Sequence, residues 1–314
     1  MIALADIQEA AQRIHGRVLR TPLRRSAWLS DVAGCEVLLK LEVLQPTFSF
    51  KVRGATNAIA RVDPAVGPLV TASAGNHGRA LAFAAAARGI PLTVYAPEKA
   101  PRTKLDAIRA LGADLHLCAD YDDAERCAKE HGRRGDATYI SPYSHDDIVA
   151  GAGTTALEIL EERGDVARIV VPIGGGGLIS GIAIAAAGLD PQVRVIGVEA
   201  EASQPFTQGR AAGRIVEIDV QPTLADGLSG NLDPETITFD IVQRLVAEIT
   251  VVSEAEIRDA MRGIVQREHL IAEGAAAVGI AAVAAGKIEP NGRPLAVVLS
   301  GANVDVDVLK SILT

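Results

Sequence analysis

Lys51 stands between Phe50 and Val52, after a turn built on Pro46, Thr47 and Ser49, at the start of a segment that reads as a helix. An amine held between apolar neighbours loses water, which disfavours its charged form and leaves a nucleophile suited to Schiff-base chemistry. By its own context alone, a solvated lysine on a surface helix is the commoner outcome. Three other stretches alter that weighting. Gly174 to Gly177 follow an apolar run and precede a helical one. Such a turn presents bare backbone N–H groups to an anion such as phosphate, which a Cβ would keep away. Ser73-Ala74-Gly75-Asn76-His77-Gly78 offers a hydroxyl, an amide and free N–H groups after a strand, a second anion cradle that suits a carboxylate. His77 there reads either as a general base or as a structural hydrogen-bond donor. Ser300 closes the last strand and points at whatever fills the crevice beyond it.

A frame must bring these stretches together. Strand-like runs over 36–41, 67–72, 92–96, 114–118, 138–140, 168–173, 194–198 and 295–299 alternate with helical patterns over 54–62, 79–88, 102–111, 121–131, 151–162, 178–187, 254–268 and 275–285. Strands separated by helices of this length imply parallel sheets with helices on both faces, and ligands in such folds bind beyond the carboxyl ends of the strands. The turns at 73–78, 174–177 and 300–303 lie at those ends. No repeat or linker interrupts the pattern, so a second domain is expected as an inserted block.

Composition narrows the function classes. Hydrophobic residues make up 48% of the 314-residue chain and aromatics only 3%, which predicts a core of Ala, Val, Ile and Leu. A formal charge of −8 provides no basic face for a nucleic-acid partner, and Arg24-Arg25 and Arg133-Arg134 read as solvated loops. Cys35, Cys118 and Cys127 show no metal-ligand spacing and point to a reducing, cytoplasmic setting. Residues 2–18 read as an amphipathic helix, not a signal peptide, and the alanine-rich runs near 80–87 and 275–285 suit no membrane span. Glu42 reads as a face or turn residue without a partner acid, and the motifs of zinc proteases, serine hydrolases and nucleotide kinases are absent. Glu199, about twenty residues beyond the glycines, keeps a nicotinamide-dependent oxidoreductase open as a rival. A non-catalytic ligand-binding protein is the plainest alternative.

Thr47-Phe48-Ser49-Phe50-Lys51-Val52-Arg53-Gly54-Ala55 resembles the T-G-S-F-K-x-R-G-A signature of the threonine/serine dehydratase and serine racemase group of pyridoxal phosphate enzymes. Residues 73–78, the four glycines with Leu178, Ala225-Asp226-Gly227, Glu273 and Ser-Gly-Ala-Asn at 300–303 follow in that group's order. The resemblance implies an α/β architecture of fold type II, the tryptophan-synthase-β-like fold. Two open twisted parallel-sheet domains would hold the cofactor in the crevice between them. Residues 1–57 with 145–314 would form the large domain and 58–144 the small inserted one, without a carboxy-terminal regulatory domain. Lys51 is then expected to hold pyridoxal 5′-phosphate as a Schiff base and later to take the substrate's α-proton. Phe50 would lie against one ring face, and Gly227 would leave room at the other. Gly174, Gly175, Gly176, Gly177 and Leu178 would hold the phosphate, Asn76 the ring's 3′ oxygen and Ser300 its nitrogen, with Glu273 completing the cofactor shell. Ser73, Ala74, Gly75, Asn76 and His77 would hold the substrate carboxylate, Ser73 and Asn76 joining Lys51 as the catalytic set.

The implied activity is conversion of L-threonine or L-serine to a 2-oxo acid and ammonia, in a homodimer, with the cofactor phosphate protonating the departing hydroxyl. A serine hydroxyl beside the ring nitrogen cannot fix a full positive charge there, which favours prompt loss of a β-leaving group. Three departures from the group's pattern bear on function. Ala74 replaces the serine that racemases of the group carry, which disfavours racemisation. Pro205 stands where a metal-site acid would, so no metal is expected. Phe48 and Ala302 replace glycines near the ligand, which opens the pocket question to bulkier β-hydroxy amino acids of the hydroxyaspartate, phenylserine or hydroxyectoine-pathway type.

Overall fold

Strands buried on both faces need continuous apolar runs, and Val37–Leu41, Arg168–Pro172 and Leu295–Leu299 are buried along their whole lengths. The computed structural model describes residues 2–63 and 67–314. In chain order the elements begin with α1 (Leu4–Ile14), β1 (Leu23–Ser26), α2 (Ala27–Ala33), β2 (Val37–Leu41), α3 (Lys51–Arg61), β3 (Leu69–Ala72), α4 (Asn76–Ala86) and β4 (Leu92–Pro97). Next come α5 (Arg102–Ala110), β5 (Asp114–Cys118), α6 (Tyr121–Arg133), β6 (Thr138–Tyr139), α7 (Asp146–Glu162), β7 (Arg168–Pro172), α8 (Gly177–Leu189) and β8 (Arg194–Ala200). The chain closes with α9 (Pro205–Ala212), α10 (Thr238–Leu245), β9 (Glu248–Val252), α11 (Glu254–Gly263), α12 (Gly274–Ala284), β10 (Leu295–Leu299) and α13 (Val306–Leu313).

Two sheets result, a six-stranded one in the order β1-β2-β10-β7-β8-β9 and a four-stranded one in the order β5-β4-β3-β6. Every pairing is parallel except β1 with β2. The two strands that periodicity does not reveal, β1 and β9, lie at the edges of the large sheet, where half-exposed residues blur the apolar signal. Arg24 and Arg25 are therefore strand residues and not loop residues, and Arg24 pairs with Glu268 at 2.8 Å.

Alanine and glycine let the helices meet at backbone contact. A Cβ at Gly151 of α7 would lie 2.6 Å from the Gly54 Cα of α3, and one at Gly181 of α8 would lie 2.3 Å from the Val149 carbonyl oxygen. Where β2, α3 and α7 converge, four charges are sealed together. Arg53 donates to both oxygens of Glu42, at 2.7 and 2.8 Å, and to both of Glu158, at 2.6 and 2.8 Å. Lys40 donates to Glu158 at 2.5 Å and to the Thr21 carbonyl at 2.6 Å. Glu42 is thus no lone turn acid. It is fully buried, and Arg53 is the partner that spacing alone did not supply. Among the described residues no helix is long and apolar enough to cross a membrane.

Candidate active site

α3 opens at Lys51 behind a turn stitched to the end of β10. Phe50 N–H donates to the Ser300 carbonyl and Ala302 N–H to the Phe48 carbonyl, each at 2.9 Å, while Ser49 and Gly301 form an antiparallel bridge. These bonds bring Ser300 beside the lysine. Lys51 Nζ donates to the Pro142 carbonyl at 2.7 Å and lies 5.3 Å from the centre of the Phe50 ring. Burial pushes its pKa down to about 8, and the charge of Glu273 only partly opposes the shift.

The 73–78 turn follows β3 and enters α4 at Asn76. Ser73 Oγ accepts from Gly75 N–H at 3.2 Å. Asn76 Nδ2 donates to Glu273 Oε1 at 2.7 Å, and Asn76 Oδ1 accepts from Asn303 Nδ2 at 2.6 Å. Glu273 is buried at the start of α12, and burial together with the neighbouring charge of Asp226 pushes its carboxyl up to about 7. Gly301 gives this carboxylate its room, because a Cβ there would lie 2.5 Å from Glu273 Oε1 and the side chain would have to shift. His77 is buried, neither ring nitrogen makes a side-chain hydrogen bond of ordinary geometry, and burial beside Lys51 holds its pKa well below the usual value. A neutral imidazole is the result.

The four glycines join β7 to α8, with Gly176 at φ 85° in the left-handed region. The first N–H groups of α8, including those of Gly177 and Leu178, have no intrahelical acceptor and open onto the turn. A Cβ at Gly175 would lie 2.3 Å from the Tyr143 ring, and one at Gly176 would lie 2.6 Å from the Phe206 ring. Pro142 thus bonds the Lys51 amine while the next residue, Tyr143, packs on the glycine turn. The amine and the turn are a dipeptide's reach apart. Sequence reading missed this 141–144 segment. The signal was available, since it follows the strand at 138–140 as the turns at 73–78, 174–177 and 300–303 follow theirs. Gly227 faces the Glu273 side of the site, where a Cβ would lie 3.2 Å from the Ala275 methyl.

Two distant groups resolve differently. Glu199 accepts from Phe206 N–H, Thr207 N–H and Thr207 Oγ1 at 2.8, 2.9 and 2.6 Å, so its carboxylate caps α9 and is not free for a ribose. Cys118 and Cys127, unremarkable by spacing, place their sulfurs and an Asp123 oxygen within 4.8 Å of one another on the four-stranded sheet and α6. Phe48 holds φ 57°, a conformation that a bulky residue rarely takes, and its ring lies 5.2 Å from the Arg79 guanidinium.

Comparison with known proteins agrees with this arrangement. The model of a family described as pyridoxal-phosphate dependent enzyme matches residues 14–301. An L-threonine ammonia-lyase of Thermotoga maritima is 41% identical, across 100% of this chain and 78% of that protein. A catabolic L-threonine dehydratase of Escherichia coli K12 is 37% identical, across 99% and 96%. Among solved structures, maize serine racemase has a TM-score of 0.93 at 32% identity, covering 99% of this chain and 96% of that one.

Proposed function

This chain belongs to the pyridoxal-phosphate dependent enzyme family, and on that premise we propose that it is an ammonia-lyase converting L-threonine, L-serine or both to the 2-oxo acid and ammonia. The residues present fit the cofactor. Side chains at Gly175 and Gly176 would collide with their surroundings, so the turn is left as bare backbone at a helix start, as a phosphate requires. Gly174 to Leu178 would hold that phosphate, Lys51 and Phe50 the ring's aldehyde end and face, Asn76 its 3′ oxygen, and Ser300 its nitrogen, with Gly227 and Glu273 on the far side. When bound, the cofactor supplies an electron sink for the bond broken at the substrate's α-carbon.

The chain's own residues do the rest. Ser73 Oγ and the N–H groups from Ala74 to His77 offer the substrate carboxylate a neutral cradle, since His77 is held uncharged. Lys51 Nζ, its pKa brought near neutrality by burial, takes the proton from the α-carbon. The β-hydroxyl leaves with a proton as water, and a second water releases ammonia and the 2-oxo acid. Ala74 has no group that could deliver a proton to the opposite face, which supports elimination over racemisation. The same reading includes a domain division at 58–144 against the remainder, which the two separate sheets support, and it carries a homodimer and a cytoplasmic setting as what the sequence resemblance implies. The observation that carries the proposal is the half-buried Lys51 amine, bonded to the Pro142 carbonyl beside the glycine turn. Ammonia and 2-oxo acid release over a panel of β-hydroxy amino acids tests it. Absence of turnover on every member by the cofactor-loaded protein overturns it.

A further inference from the structure

Arg79 sits one turn into α4, three residues beyond Asn76. Among the described residues no carboxylate forms an ion pair with it. Its contacts are the Asn303 side-chain oxygen at 2.6 Å and the face of Phe48. It lines a cavity of about 180 Å³ shared with Ala74, Gly75, Asn76, Lys104 and Asn303, directly against the carboxylate cradle. Of the other charged groups there, only Lys104 has an opposite charge for a partner among the described residues. Lys104 bonds Asp226 at 2.6 Å, and Asp305, on the rim, accepts from Thr103 Oγ1 at 2.7 Å. A partly desolvated cation beside a substrate cradle calls for an anion, and a planar guanidinium suits a carboxylate above other partners. Threonine and serine present only a methyl or a hydrogen at that point. Phe48 is held at φ 57° with its ring along the guanidinium, so backbone strain is tolerated where it orients this cation.

We propose that the preferred substrate carries a second carboxylate on its β-carbon, a β-hydroxy-α-amino dicarboxylate such as 3-hydroxyaspartate, with Arg79 as the specificity residue that binds it. This rests on the lyase reading above. The α-C–H and β-C–O bonds break, one water leaves, another water enters at the α-carbon, and 3-hydroxyaspartate yields oxaloacetate and ammonia with no oxidant required. The test compares kcat/KM for 3-hydroxyaspartate and threonine in the holoenzyme and in Arg79→Gln, which keeps a donor for Asn303. The expected result is a preference for 3-hydroxyaspartate that falls by about 30-fold or more in Arg79→Gln, the loss of one charge-assisted contact, and is largely kept in Arg79→Lys. An equal change on both substrates would assign Arg79 to the α-carboxylate and overturn the proposal. Binding gives an independent readout, with succinate expected to bind the holoenzyme about tenfold or more tighter than butyrate and this gap to close in Arg79→Gln. A holoenzyme that deaminates threonine but neither turns over 3-hydroxyaspartate nor prefers succinate overturns this inference and leaves the lyase reading standing. One that deaminates neither amino acid overturns both.

Discussion

Lys40 and Lys51 sit on successive elements, β2 and α3, and both are drawn out of water, yet their surroundings differ in kind. Lys40 is wholly buried and saturated by a carboxylate and a carbonyl, within a cluster whose two cations and two anions cancel. Lys51 has one carbonyl as hydrogen-bond partner, and the acid that it senses, Glu273, is itself pushed toward neutrality. Burial lowers the pKa of both. What separates the two lysines is therefore not burial but how many acceptors and opposing charges remain to hold the proton. Arg53 links the two regions, because it anchors α3 two residues beyond Lys51.

The contrast breaks most sharply at Lys51 itself. Lys51→Ala is expected to lower ammonia release by about 10⁴-fold or more, measured on protein supplied with cofactor, whereas Lys40 carries no such role. The cofactor-free protein gives the companion result. Its folded state releases the Lys51 proton near 8 while the unfolded chain keeps it to about 10.5. The unfolded state binds more protons across that window, so the lysine costs stability below about 8 and the cost fades as pH rises to 10.5. Lys51→Met should therefore unfold at higher urea than the parent at neutral pH, with the gap narrowing through that range.

The saturated cluster should respond the other way. Arg53→Ala strands the buried Glu42 carboxylate, takes one of the two cations from Glu158, and is expected to cost about 3–5 kcal/mol in urea unfolding. Joint replacement of Arg53 and Glu42 by apolar residues of similar volume should recover part of it. If Arg53→Ala cost under about 1 kcal/mol, the cluster would not be the sealed network described.

A finer probe is Glu273→Gln. Removing the one charge that supports the Lys51 cation should move that pKa further down. In the parent, the rate of pyridoxal phosphate uptake by cofactor-free protein should rise with pH and level off above about 8. In the variant the same rise should come at lower pH. The smallest effect is expected at Phe48, where glycine removes the strain at φ 57° and should stabilise the fold by about 1 kcal/mol. Equilibrium urea unfolding would register a loss of stability instead if the ring's contact with Arg79 outweighed that strain.

Much of this arrangement was readable before folding. Central strands such as Leu295–Leu299 declare themselves because burial on both faces demands an unbroken apolar run. The glycine turn, the 73–78 cradle and the lysine between apolar neighbours are local patterns, set by steric and solvation demands within a few residues. Their placement at strand ends follows from the parallel α/β alternation. Edge strands escaped because half their residues face solvent, and the Pro142-Tyr143 contact escaped because neither residue carries a chemical signature of its own.

Pairing is what only the tertiary structure decided. That Glu42 belongs to Arg53, that Asn76 bonds Glu273, that Cys118 approaches Cys127, and that Arg79 pairs with no acid among the described residues are facts of distance between remote segments. Sequence names the charges, but the cost of burying each one depends on what lies within about 4 Å of it and on how much water the fold has removed. The chain alone could propose Lys51 as a reactive amine. Only the folded surroundings, one acceptor and a weakened counter-charge, make it differ from Lys40.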